Sequence, residues 1–152
     1  MAHKAAQLKQ FWDSSDSIMS GFAENGCAIG QTWDGPVKRM VKEGKPVGFM
    51  APQEGALAWI DGFALSKAVA NVDQVYAFFD YLTKPEVGGK VATVSSYNSS
   101  IKGADNFTTD VDKKLFQSSY PGDALSKLWR YPPSPSWFLS VRNEYAEKFK
   151  VA

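Results

Sequence analysis

Apolar residues follow two rhythms along this chain. From Val47 to Leu65 they form a nearly unbroken run, Val47-Gly-Phe-Met-Ala51 and then Glu54-Gly-Ala-Leu-Ala-Trp-Ile-Asp-Gly-Phe-Ala-Leu65. Such a run, bounded by turn residues, predicts a strand buried on both faces. Side chains two apart share one face of a strand, so Trp59 and Asp61 point the same way. A carboxylate inside an apolar strand is costly unless a cation or hydrogen-bond donors meet it. The expectation is that the cation is a ligand and that Trp59 walls the same pocket. Cys27 to Trp33 also predicts a strand. Its small residues Ala28, Gly30 and Thr32 form a face open to close approach of backbone or ligand.

The second rhythm is helical. Leu8, Phe11 and Trp12 mark a first helix over Ala2–Trp12, which starts without a cap, as though cut from a longer protein. Ser15 or Asp16 is the expected cap of a helix carrying Ile18, Met19 and Phe22. Asp34-Gly-Pro36 starts another, with Asp34 as cap and Pro36 in the first turn, where a missing N–H costs nothing. It carries Val37, Met40 and Val41 and stops at Gly44-Lys-Pro46. Asn71 with Gln74 has the spacing of a capping box, ahead of a helix with the face Val72, Val75, Tyr76, Phe79 and Leu82. Lys84-Pro85 breaks that helix and begins the next, with Val87, Val91 and Val94. Ser95 to Ser100 is a polar loop holding one aromatic, Tyr97. Thr108 or Thr109 caps a helix with Val111, Leu115 and Phe116, and Asp123–Trp129 predicts a short helix. Tyr131-Pro-Pro-Ser-Pro135 is a stiff connection, and Ser136 caps a final helix with Phe138, Val141, Tyr145 and Phe149. The order is α/β first and then mainly helices. The helical half needs a sheet to pack on, and the chain holds little of one, which points to part of a larger fold.

Composition removes several function classes. The chain has 152 residues, enough for a core, and a net charge of +1. No basic run interleaves with aromatics, so nucleic acid is not an expected partner. Apolar runs fall short of the roughly 20 residues of a membrane span, and the first residues are polar, unlike a signal peptide. Cys27 is the single cysteine and His3 the single histidine. A nucleophilic pair of these two has no support in the pattern. No metal-ligand spacing and no phosphate loop appear, and Gly88-Gly89 lies within helical pattern, so no metal or cofactor is expected. Asp13 with Asp16, and Asp110 with Asp112, sit in turn-like contexts and read as caps rather than a general acid and base. An enzyme is therefore not expected. Five Trp, six Tyr and ten Phe suit either a core or a stacking pocket.

Two segments, Ile29-Gly-Gln-Thr-Trp-Asp-Gly35 and Pro52-Gln-Glu-Gly-Ala-Leu-Ala-Trp-Ile-Asp61, followed by Tyr81-Leu-Thr-Lys-Pro-Glu-Val87, form an ordered series. In it the chain resembles the periplasmic spermidine/putrescine-binding proteins of bacterial ABC importers. The resemblance implies an α/β, two-lobed periplasmic-binding-protein fold of type II, with a mixed sheet flanked by helices and a helical C-terminal half. It implies that this chain is the C-terminal part. Residues 1–60 would belong to the second lobe, and 61–152 would carry the hinge strand and helices of the first. It implies a solute-binding protein that captures a polyamine between its lobes and delivers it to an inner-membrane permease. The location would be periplasmic, with the signal peptide upstream. Trp33, Trp59, Asp61 and Tyr97 match the family's pocket residues. The family's second-lobe acid has no counterpart here, and Gly62 stands where a small hydroxyl residue is common. Another organic amine, an amino acid, or a sugar on an aromatic platform are the alternatives. Two copies exchanging elements in a swapped homodimer would supply each other's sheet surface.

From the residues alone other roles stay open. Trp33 and Trp59 fit plain core positions. Asp61 fits a turn at Gly62 or a pair with Lys67, and Tyr97 fits an ordinary loop aromatic.

Overall fold

The computed structural model describes residues 4–151, so His3 lies outside the described residues. The elements run α1 (Lys4–Gln7), α2 (Ser15–Ala23), α3 (Asp34–Lys42), β1 (Ala56–Ala58), α4 (Val72–Leu82) and α5 (Pro85–Ser95). A 3-10 turn follows at Ala104–Phe107, then α6 (Asp110–Ser119), a second 3-10 turn at Ala124–Lys127, β2 (Leu128–Arg130) and α7 (Ser136–Val151).

Local signals place the helix ends. Ser14 caps α2, one residue before the expected position, and exchanges a reciprocal capping box with Ser17. Asn71 accepts from the Gln74 N–H at 3.1 Å, and Thr109 closes a capping box with Asp112. Pro85 stands at the start of α5, where its fixed φ fits and its absent N–H is not missed. The start of α3 differs from expectation. Trp33, not Asp34, is the cap residue, and it makes no side-chain cap bond. Asp34 is the first helical residue and its carboxylate turns into the protein.

The sheet is smaller than the apolar run predicts. Only Ala56–Ala58 pair, in parallel with Leu128–Arg130, in the register Ala56 to Leu128, Leu57 to Trp129 and Ala58 to Arg130. A strand is buried on both faces only where neighbours and helices cover it. With one neighbour of three residues, Ile60, Phe63 and Leu65 stay exposed. β2 falls where a helical end was expected. The ladder's first step depends on Gly55, which sits at φ +119° with the Lys127 carbonyl 2.6 Å from where a Cβ would be. Cys27–Trp33 is not a strand either. The Trp12 indole covers it instead, donating to the Gln31 carbonyl at 2.9 Å and lying where a Cβ on Gly30 would stand.

Ile18, Val37, Met40, Ala51, Ala92, Ala104 and Ala124 are the buried apolar residues. They sit among α2, α3, α5, α6 and the 3-10 turns. Gly88 and Gly89 serve close packing within α5, since a Cβ on Gly88 would stand 2.6 Å from Ile101 Cδ1 and one on Gly89 2.6 Å from the Ala104 carbonyl oxygen. By contrast α4 buries none of its residues, and Phe78, Tyr81, Trp137 and Phe138 of α4 and α7 are exposed.

Candidate functional site

The first turn of α3 is where the described structure concentrates buried polar groups. Asp34 is 7% exposed and Lys38, one helical turn later, is 4% exposed. Their separation of four residues puts them on one face, and Lys38 Nζ donates to Asp34 Oδ2 at 2.6 Å. Lys38 Nζ also donates to Asn98 Oδ1 at 2.8 Å, and Asn98 Nδ2 donates to Asp34 Oδ2 at 3.0 Å. The three side chains thus close a triangle. Tyr120 adds a third donor to Asp34, its hydroxyl reaching Oδ2 at 3.1 Å, while Lys38 Nζ lies 5.9 Å from its ring centroid. No buried side-chain nitrogen or oxygen among the described residues lacks a hydrogen-bond partner. A buried charge pair holds its place on that condition.

A second clamp lies one turn further on. Lys42 Nζ pairs with Asp112 Oδ1 at 2.6 Å, and donates to the Thr93 carbonyl at 2.9 Å and to Ser96 Oγ at 3.3 Å. Thr93 Oγ1 donates to Asp112 Oδ2 at 2.8 Å. Ser96 ends α5 in the left-handed region, φ +62°, which turns the chain so that Tyr97 and Asn98 face α3.

These clamps place Tyr97, one of the four expected site residues, against the first turn of α3. The Tyr97 ring lies on Gly35, where a Cβ would meet its Cζ at 2.7 Å, and Gly35 is two residues from Trp33. Tyr97 is 40% exposed and borders a cleft of about 330 Å³, which Lys38, Asn98, Asp112 and Phe116 also line. Trp59 and Asp61 lie elsewhere, past the end of β1. Trp59 is 51% exposed and Asp61 is exposed, so neither matches the buried position expected for them. No hydrogen bond, ion pair or ring contact among the described residues joins this pair to Trp33 and Tyr97. Carried one residue further, the β1–β2 register sets Tyr131 level with Trp59, and Tyr131 stacks obliquely on Trp129 at 6.3 Å. No group of three metal-ligating side chains occurs among the described residues, and none of their helices is long and apolar enough to cross a membrane.

Two titrations follow from the clamps. Burial, and then the neighbouring Asp34 carboxylate, push the Tyr120 hydroxyl above the ordinary tyrosine range. Its raised folded value means that this contribution to stability is whole below about pH 10 and falls as pH rises beyond the unfolded value. Asp112 runs the other way. Burial raises its pKa, but hydrogen bonds from Lys42, Thr109 and Thr93 and the Lys42 charge outweigh that and leave it lowered. Its contribution is present above the ordinary, unfolded value of 3.8 and is lost as pH falls through the depressed value. Denaturation midpoints measured against pH should therefore drop at both ends. Asp112→Asn should flatten the acid limb and Tyr120→Phe the alkaline one; an unchanged limb would remove that residue's assignment.

Sequence reasoning missed Asp34, Lys38, Asn98 and Tyr120 as a group. One signal was present: Asp34, Lys38 and Lys42 recur every four residues, a charged stripe along a helix otherwise read by its apolar residues.

Residues 1–118 match the family model described as bacterial extracellular solute-binding protein, and the chain belongs to that family. It is 25% identical over 140 residues to spermidine/putrescine-binding periplasmic protein 1 of Haemophilus influenzae, covering 91% of this chain and 38% of the relative. It is 29% identical over 121 residues to the putrescine-binding periplasmic protein PotF of Escherichia coli, covering 76% of this chain and 33% of that protein. A putrescine/agmatine-binding protein of Pseudomonas aeruginosa is 33% identical over 84 residues, 55% of this chain and 22% of its own. The chain thus spans well under half the length of these relatives. No solved structure matches it. Proteins of this family bind solutes and are not enzymes.

Proposed function

We propose that this chain is the C-terminal part of a solute-binding protein of an ABC importer, which captures a putrescine- or spermidine-like polyamine between two lobes and hands it to an inner-membrane permease. Its location on this reading is periplasmic. Residues 1–60 belong to the second lobe, and 61–152 supply the hinge strand and helices of the first. Trp33, Trp59, Asp61 and Tyr97 hold the ligand.

The observation that carries the reading is the seating of Tyr97 on Gly35, beside Trp33. Tyr97 borders the cleft, and its ring is seated two residues along the chain from Trp33. A polyamine is a row of methylenes carrying ammonium groups. Aromatic faces suit both parts, and each ammonium gains about 0.5–2 kcal/mol from such a face. A desolvated ammonium also needs an anion. Trp59 and Asp61, past the end of β1, are both exposed and open to an incoming solute. Closure of the lobes then brings the carboxylate and the aromatic pair onto one guest.

Calorimetric titration of the full-length parent with putrescine and spermidine, with a neutral sugar as control, tests this. Heat with the amines alone is the expected result, and heat with the sugar alone would replace the amine reading. Asp61→Asn should weaken amine binding by roughly 2–5 kcal/mol if the carboxylate is desolvated around the ligand. An unaltered affinity would take Asp61 out of the site.

A further inference from the structure

We infer that Asp34, Lys38 and Asn98 form a positioning latch: they hold Tyr97 on Gly35, two residues from Trp33, and so govern ligand affinity by fixing where these aromatics stand. The inference rests on the proposed function for its ligand, but its geometry stands alone. Asp34 follows Trp33 directly in the chain and Asn98 follows Tyr97. The three latch side chains share three hydrogen bonds of 2.6, 2.8 and 3.0 Å, linking residues 64 positions apart.

Each bond restricts a different freedom. The Asn98 amide is used at both ends, accepting from Lys38 and donating to Asp34, which fixes the plane of that side chain and with it the backbone of the loop. Asp34 is anchored in the first helical turn, where the helix dipole favours a carboxylate. Gly35 completes the fit, because any Cβ there would strike the Tyr97 ring. Lys42 holds Ser96 from the other side, so the loop is gripped on both flanks of Tyr97. Aromatic side chains on a loop keep a fixed spacing only where such contacts remove the loop's freedom. Both tryptophan and tyrosine therefore meet a guest already placed, which lowers the ordering cost of binding.

The test uses Asn98→Ala, which leaves Asp34 its bonds from Lys38 and Tyr120. Ser14→Ala, which removes the distant cap of α2, serves as a control of lowered stability. Both are made in the chain labelled with 5-fluorotryptophan, with the Trp33 fluorine resonance assigned through Trp33→Phe. Without ligand, the Trp33 resonance should shift or broaden in Asn98→Ala and stay in place in Ser14→Ala, with the helical circular dichroism of both retained. Putrescine affinity should fall at least tenfold in Asn98→Ala and stay within twofold in Ser14→Ala. An unmoved Trp33 resonance in Asn98→Ala overturns the latch, as does equal loss of affinity in the two variants. If the full-length parent binds no linear amine, the proposed function falls, and the fluorine shift alone decides the latch.

Discussion

Replacing Lys38 with methionine should destabilise the protein by about 3–5 kcal/mol, the cost of leaving a buried charge without its partner. At about 2–4 °C per kcal/mol for a chain of this size, the thermal midpoint should fall by roughly 10 °C. Lys38 and Asp34 are both nearly sealed from water, and among the described residues the Lys38 ammonium is the one cation bonded to that carboxylate. The methionine stem refills most of the volume, so the loss reports the charge and its two hydrogen bonds rather than a cavity. Asp34 would retain the Asn98 amide and the Tyr120 hydroxyl, two neutral donors. A second substitution, Asp34→Leu, added to Lys38→Met should restore part of the stability, because an apolar pair of similar size often replaces a buried ion pair at no cost. Recovery should be incomplete, since Tyr120 and Asn98 lose their acceptor. Thermal denaturation followed by circular dichroism measures all three. A loss below about 1 kcal/mol for Lys38→Met would mean that the Asp34 carboxylate finds solvent, or a proton, on its own.

Gly89→Val should cost about 1–3 kcal/mol, although valine is a better helix former than glycine. The gain in helix propensity is under 1 kcal/mol. Against it stands backbone that has no room to yield: the Ala104 carbonyl oxygen and Phe107 Cβ both lie 2.6 Å from the position of the new Cβ, and the Phe107 carbonyl carbon 2.9 Å away. The variant must therefore pry the 104–107 turn off α5. Gly48→Ala, at a site with open space around it, gives the comparison and should be near neutral. Urea denaturation midpoints for the two variants would settle the point. Equal midpoints would mean that the turn moves away at little cost.

Features set within a few residues were readable from sequence. Asn71 and Thr109 cap as their spacing indicates, and Pro85 divides α4 from α5 as a residue without an N–H must. Features set by distant partners were not. The run from Val47 to Leu65 has the composition of an interior strand, but composition does not provide neighbours. The only partner found among the described residues is three residues of a segment that reads as a helical end. The same limit explains Asp34. Its place before Gly35-Pro36 marks a helix start, and no local rule says that Asn98 and Tyr120 will draw its carboxylate inward. For the candidate site, the family series picked out Trp33 and Tyr97, and the structure seats the Tyr97 ring on Gly35, two residues from Trp33. The series also named Trp59 and Asp61, whose segment stands apart and exposed.

Lys38 also has a use as a reporter. An amine-reactive acylating reagent modifies only an ammonium that has lost its proton and met the solvent. At 4% exposure, and held by two acceptors, Lys38 does not meet the reagent while α3 and the Asn98 loop stay together. Most other lysines of the chain lie on the surface and label at once. The rate at which mass spectrometry finds a label on this one residue therefore measures how often that seam parts.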